Sequence, residues 1–411
     1  MAINNYITFP DRRPSAFKDK GQIDEILSRY SNFPYVHTAN ICGARIKLLT
    51  NSEHVSEFWQ LNWYASDSND ADGFVYIITG VEGYEPCLFY NLDKKIALGV
   101  NTEYYGLAKS KSALGLATEV LKEKEKYPMH AASVSIKRNN EEFGVAIIAP
   151  TGTGKTTQFH ELLYNVKNSK VVGDDYLFLS FKEKEVVAEQ PENWLYMRTE
   201  IAEKHPTFLK SFEGLPLENV VVRKENCRQK SQDLEKMGSC YRSVLEGGRK
   251  CVFDEGFKAC YWSYANSRIM FPREKFTMLI ADEEGNVKEV FKGKENVTNE
   301  ITLKYVLLLT RDDESPIIRK IEKEEAIKIL KEGNFKIMPG GGPPEKWGQY
   351  GKEPFYDPYQ LEMDLERQEK FFRKLFDYNV IFYLLNTGSY KGRKIEIHQT
   401  HAYIRAALRL N

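Results

Sequence analysis

Residues 144–163 read GVAIIAPTGTGKTTQFHELL. An apolar β-prone run, a glycine-rich turn closing on Lys-Thr, and a run with helical spacing follow one another. In the turn, Gly152 and Gly154 let successive backbone N–H groups converge on phosphate oxygens, and the next helix adds the positive end of its dipole. Lys155 is placed to neutralise β and γ oxygens, and the Thr156 hydroxyl to sit on magnesium. Thr153 and Thr157 complete the cradle, whereas Ala149 stands where the strict P-loop pattern has its first glycine. A glycine-rich turn with a solvated lysine is the alternative, but the strand before it and the helix after it favour phosphate.

Thirty residues out, the context sharpens. In KVVGDDYLFLS, Asp174 and Asp175 end one apolar run and precede another. Adjacent like charges are costly unless a cation joins them, so a divalent metal or a general base is expected. Taken alone, GDD is equally a polar turn between strands; its distance of 19 positions from Lys155 raises the functional reading.

Across the whole chain, 411 residues at 42% hydrophobic are enough for two or three domains. Lys+Arg and Asp+Glu are both 58, so no nucleic-acid or anionic-membrane partner is expected. Six scattered cysteines lack a CxxC pair, which argues against a disulfide framework or zinc site and for reduced core thiols. MAINNYITFPDRRPSAF has no basic-then-apolar leader, and no apolar run reaches membrane-spanning length, so a cytoplasmic protein is expected.

The expected fold class is α/β. Residues 1–125 read as a mixed-sheet region with strands at FVYIITGV (74–81) and KIALGV (95–100), and a helix over 112–126. Beyond Val134 strands become dense: VSI, VAII, KVV, YLFLS, KACYWSY, RIMFP and FTMLIA. The polar stretch 224–250 reads as a surface excursion, and the Gly/Pro-rich 336–359 as a loop and mobile cover. LEMDLERQEKFFRKLFDYN gives an amphipathic helix, followed by a buried strand at IFYLLNTG.

Several blocks resemble ATP-dependent phosphoenolpyruvate carboxykinase, within the superfamily that includes HPr kinase. They are NTEYYGLAKSKSALGLATEVLKEKEKYPMHAASVSI (101–136), GTGKTT, VVGDD, LENVVV (217–222), YANSRIMFP (264–272) and LLNTGSYKGRKIEIHQTHAYIRAAL (384–408). The resemblance spans roughly residues 101–408. It implies an N-terminal substrate-side domain (1–125) and a P-loop-containing, carboxykinase-like catalytic domain (126–411).

Residue by residue, it also implies roles. His130 and Asp175 would hold a second divalent ion, Mn²⁺, with Mg²⁺ at Thr156, while Asp174 supports or acts as base. Arg268 would grip the transferring phosphoryl group and acceptor, with Tyr104, Gly106 and Lys109 on the substrate side and Arg198 on phosphate. Lys394 and Thr400 would hold adenine. Departures concentrate on the acceptor side. Ser110 stands where the family has its metal-binding lysine, and Leu107 replaces a glutamate. LLTRDDESPIIRK (308–320) replaces the lid, and the carboxylate-binding arginine is not evident, leaving Arg12, Arg13 and Arg45 as candidates.

The leading expectation is therefore a metal-dependent transferase, oxaloacetate and ATP giving phosphoenolpyruvate, CO₂ and ADP. The alternatives are an HPr-kinase-like enzyme acting on a hydroxyl of a small molecule or protein serine, and a non-catalytic nucleotide sensor. Partners are a nucleotide and a small-molecule acceptor. ATP against GTP or pyrophosphate, and the oligomeric state, stay open.

Overall fold

The computed structural model describes residues 5–8, 14–150, 152–199, 201, 206–227, 251–254, 256, 258–261, 266–337 and 346–410. The architecture is mixed α/β, built on several mixed sheets. Arg12 and Arg13, Cys240, most of the 224–250 excursion and the middle of the Gly/Pro-rich stretch fall outside these residues.

One sheet of seven strands draws only on residues 15–100, in the order Ser15–Lys18, Cys87–Asn91, Ile96–Val100, Gly73–Ile78, Ala44–Thr50, Tyr35–Ile41 and Tyr64–Ala65. Ala44–Thr50 alternates buried and half-buried positions, as a strand covered mainly on one face requires. The covering helix, Glu53–Asn62, starts where the Ser52 hydroxyl accepts from the Val55 N–H. It buries Val55, Phe58 and Trp59 in a core that continues into Tyr105, Leu114, Phe178 and Tyr196.

The second sheet carries the quoted stretch. Glu141–Ile148 pairs antiparallel with Ala131–Arg138 and parallel with Glu300–Thr310, which pairs parallel with Ile381–Asn386. Ser169–Gly173 lies antiparallel to Ala131–Arg138. These directions bring the carboxyl ends of four strands, at Ile148, Gly173, Thr310 and Asn386, to one edge, together with the amino end of a fifth at Ala131. That is where open α/β sheets hold ligands. A third sheet orders Asn5–Tyr6, Leu217–Glu218, Arg268–Pro272 and Trp194–Arg198, so residues near the N-terminus pair with the second half of the chain.

Three local expectations differ from the structure. Helical backbone begins at Tyr105, seven residues before the apolar spacing suggests, and passes through a π-helical turn, Ala108–Leu114, before Gly115–Lys122. The extra residue per turn breaks the 3.6 period that the eye looks for. KACYWSY contributes an isolated bridge at Cys260 among the described residues, not a strand. The Gly/Pro-rich stretch is not loop throughout: Tyr350–Lys352 pairs with Asn334–Lys336, and Pro354–Tyr356 forms a short turn anchored in the candidate site. No described helix is long and apolar enough to cross a membrane, and Cys42, Cys87 and Cys251 are free thiols.

Candidate active site

Gly152 (φ 85°) and Gly154 (φ 105°) both take the left-handed backbone that only glycine adopts cheaply, and Lys155–Asn165 begins immediately after them. The Thr153 hydroxyl donates to the Pro150 carbonyl at 2.7 Å, and the Thr387 hydroxyl donates to the Thr153 carbonyl at 2.6 Å, bracing the turn. The Arg311 Nε lies 3.4 Å from that Thr387 oxygen. Thus the LLTRDD segment, absent from the expected site set, reaches the cradle.

Behind the turn the two aspartates separate in role. The Thr156 hydroxyl donates to Asp174 Oδ2 at 3.1 Å, while Asp174 Oδ1 is buried with no hydrogen-bond partner among the described residues. Burial pushes this carboxyl up to about 6, outweighing the pull of Lys155. Asp175 moves the other way. Burial raises it too, but Lys109 and Lys155 together hold it well below the usual carboxylate range. Its oxygens lie 2.5 Å from Lys109 Nζ, 3.3 Å from Lys155 Nζ and about 3 Å from the Tyr359 hydroxyl (3.0 and 3.1 Å). Glu192, 1% exposed, takes the other side of Lys109 at 2.9 Å.

His130 bridges Met129 and Ala131 at the same edge. Its Nδ1 lies 2.6 Å from the Tyr356 carbonyl, so that nitrogen donates and Nε2 keeps its lone pair. Lys155 Nζ donates to Nε2 at 2.9 Å. The Tyr356 carbonyl is delivered by an unusual backbone: Phe355 (φ 56°) and Tyr356 (φ 52°) are both left-handed. Such conformations cost about 1 kcal/mol or more each and persist where surroundings impose them.

The substrate-side residues converge only in part. Tyr104 is buried over Gly106, and Lys109 reaches Asp175 as described. Ser110 donates instead to the Gly106 carbonyl at 2.5 Å. It is Lys109, within the π-helical turn Ala108–Leu114, whose ammonium reaches Asp175. Arg198 and Arg268 are opposite one another on paired strands. The Arg268 guanidinium stands 5.4 Å from the Tyr196 ring centroid, and its Nε is buried without a hydrogen-bond partner.

Other expected residues stand apart. Lys394 is exposed beside Glu396, at 3.2 Å. Thr400 is 2% exposed; its hydroxyl donates to the Ile397 carbonyl (2.7 Å) and accepts from Gln158 (3.0 Å), so it presents nothing to an adenine here. Arg45 is held by Asp72 at 2.8 Å, and so does not complete a carboxylate site. Sequence reasoning missed Tyr359, Glu192, Tyr196, Glu218, Arg311 and Thr387. Of these, Glu218, Arg311 and Thr387 lie in quoted segments, and the placement of Thr387 beside the cradle gives it a bracing role.

The Thr156 hydroxyl, braced by Asp174 Oδ2, is a hard oxygen that would suit Mg²⁺ together with nucleotide phosphates, and it leaves Asp174 Oδ1 uncommitted. The expected Mn²⁺ set fits less well: His130 Nε2 and Asp175 Oδ1 are 3.4 Å apart, but the Lys155 ammonium already lies against both. Among the described residues no three His, Cys, Asp or Glu groups cluster as a metal site.

No protein-family model matches the chain, and no curated protein matches it. Among solved structures, the HPr(Ser) kinase/phosphatase from Coxiella burnetii is similar at 11% identity over 47% of this chain and 77% of its own, with a TM-score of 0.20. At that score the similarity identifies neither fold nor activity, and the site's chemistry has to be read from its own residues.

Proposed function

We propose that the chain is a phosphotransferase that moves the terminal phosphoryl group of ATP onto a hydroxyl acceptor. The observation that carries this is the Thr156–Asp174 pair beside Lys155, with Asp174 Oδ2 engaged and Oδ1 without a partner among the described residues. Mg²⁺ held by the Thr156 hydroxyl with the nucleotide would supply charge neutralisation on the phosphates. Backbone N–H groups of residues 152–156 orient the β and γ phosphates. Asp174 Oδ1 takes the proton of the acceptor hydroxyl as its oxygen bonds to the γ phosphorus. The bond to the β–γ bridging oxygen breaks, and Lys155 bears the charge that appears there. Asp175 is unsuited to proton abstraction, because Lys109, Lys155 and Tyr359 already occupy its oxygens.

A second reading, carboxykinase chemistry on oxaloacetate, is favoured by one feature: Lys109, His130, Asp175 and Tyr104 gather around the approach to Arg268. An enolate needs no base, whereas a hydroxyl does. The test is ADP release from ATP and Mg²⁺ with oxaloacetate, with small alcohols, and with a seryl peptide. A hydroxyl acceptor whose phosphorylation stops in Asp174→Asn supports the first reading. Oxaloacetate-dependent phosphoenolpyruvate and CO₂ replaces it with the second. Failure to bind any nucleotide sinks both.

A further inference from the structure

Arg268 and Glu218 occupy directly opposed positions on neighbouring antiparallel strands. Opposite charges so placed normally pair across the ladder. Here they do not: among the described residues Arg268 has no ion pair, although Glu218 is fully buried beside it. Both carboxylate oxygens are already engaged. Oε1 accepts from His54 Nε2 at 2.8 Å, from the Tyr105 backbone N–H at 2.9 Å and from the Thr8 hydroxyl at 3.2 Å, while Oε2 accepts from the Tyr196 hydroxyl. Oε1 is crowded by three donors, so Oε2 is the oxygen a guanidinium could take, and the Tyr196 hydroxyl holds it.

Tyr196 connects the two residues. Its hydroxyl is spent on Glu218, and its ring face carries Arg268 at 5.4 Å and Lys109 Nζ at 5.7 Å from the centroid. A tyrosine face attracts cations electrostatically without neutralising them. The guanidinium is thus supported while its donors stay available.

We propose that Tyr196 and Glu218 are positioning residues that keep Arg268 open for an anionic group of the substrate. Glu218 anchors the ring on which Arg268 rests, and Tyr196 fills the carboxylate oxygen that would otherwise capture the guanidinium. Burial, and then the charge of Glu218, hold the Tyr196 phenol well above its ordinary pKa, so it remains a neutral donor throughout the physiological range. This goes beyond the phosphotransfer reading and rests on it only in choosing a phosphate probe.

The test is calorimetric titration of inorganic phosphate into the full chain, both unloaded and saturated with ADP and Mg²⁺. Tyr196→Phe keeps the ring but frees one Glu218 oxygen, which should turn to Arg268. Phosphate affinity should then fall about ten-fold, the scale of a hydrogen bond to a charged group. Adding Glu218→Gln to that variant should restore affinity to near the wild-type value, because a neutral amide does not capture the guanidinium. Arg268→Ala sets the floor. Circular dichroism and unchanged thermal melting establish that each variant is folded. Unchanged phosphate binding in folded Tyr196→Phe overturns the proposal. So does a double variant that stays weak, since a purely architectural role would make the two losses add. Absence of ADP binding in the wild type condemns the phosphotransfer reading, while the variant series on unloaded protein still decides the role of Tyr196 and Glu218.

Discussion

The nucleotide side and the acceptor side of this site are assembled by different means. Cradle, lysine, hydroxyl and base come from two short segments, 150–157 and 173–175, each directly after a strand of the same sheet. The acceptor side takes Tyr104 and Lys109 from a distorted helix, Glu192 and Tyr196 from one strand region, Arg268 and Glu218 from two others, and Tyr359 from the far end of a Gly/Pro-rich stretch. Local chain geometry builds the first; tertiary packing builds the second. A change on the nucleotide side should therefore abolish chemistry cleanly, and changes on the acceptor side should act through packing and be graded.

The largest effect is expected at Lys155. It bears charge that develops only as the β–γ bond breaks, and loss of such a contact typically lowers turnover by about 10² or more. Lys155→Ala should lose transfer while urea denaturation shows little change, because its side chain is half-buried at the sheet edge rather than in a core cluster. Near-normal ATP turnover in folded Lys155→Ala would erase the distinction between the two sides.

This division also explains what the sequence makes legible. The strand–turn–helix at 144–163 announces itself because its glycine backbone, lysine and flanking periodicities are all local. The GDD pair is visible for the same reason, but which aspartate meets Thr156 is not, since that depends on the edge-to-edge placement of Ser169–Gly173. Lys109 is named by the resemblance, but its contact with Asp175, made from within a π-helical turn across 66 residues, is not. Tyr359 is hidden more thoroughly. It lies in a stretch whose composition says loop, and its contact with Asp175 spans 184 residues. Glu218 and Arg268 are related by strand register alone, which no spacing along the chain encodes.

An intermediate effect is expected at Gly106. A methyl group added there would run into the ring of buried Tyr104, well inside contact distance. Overpacking of this kind typically costs about 1–3 kcal/mol. Gly106→Ala should raise KM for the acceptor found by the screen and lower stability in urea by that amount, yet leave ADP affinity unchanged. A parallel loss of ADP affinity would show that the two sides are one packed unit.

The remaining comparison is between two buried lysines, one on each side, and touches stability rather than turnover. Lys109 is 1% exposed, and although burial opposes its charge, Asp175 and Glu192 raise its pKa above the ordinary lysine value. Lys292 is 0% exposed near the end of the P-loop helix and, among the described residues, donates to neutral oxygens, the Ser169 carbonyl at 2.6 Å and hydroxyl at 2.7 Å. Burial without a counter-ion lowers its pKa from 10.5 to about 7. Between those two values the unfolded chain holds a proton on this amine that the folded chain has released. Stability contributed by this group must then rise with pH across that window, by at most about 1.4 kcal/mol per pH unit, and be flat below it. Lys292→Met keeps the volume and removes the titration. Urea denaturation of both proteins from pH 6 to 10 isolates the term, because every other group titrates alike in the two. The stability of Lys292→Met minus that of the wild type should be constant up to about pH 7 and then decline steadily. A difference independent of pH would mean that Lys292 stays charged in the fold, and that burial alone, without a paired carboxylate, does not distinguish the two lysines.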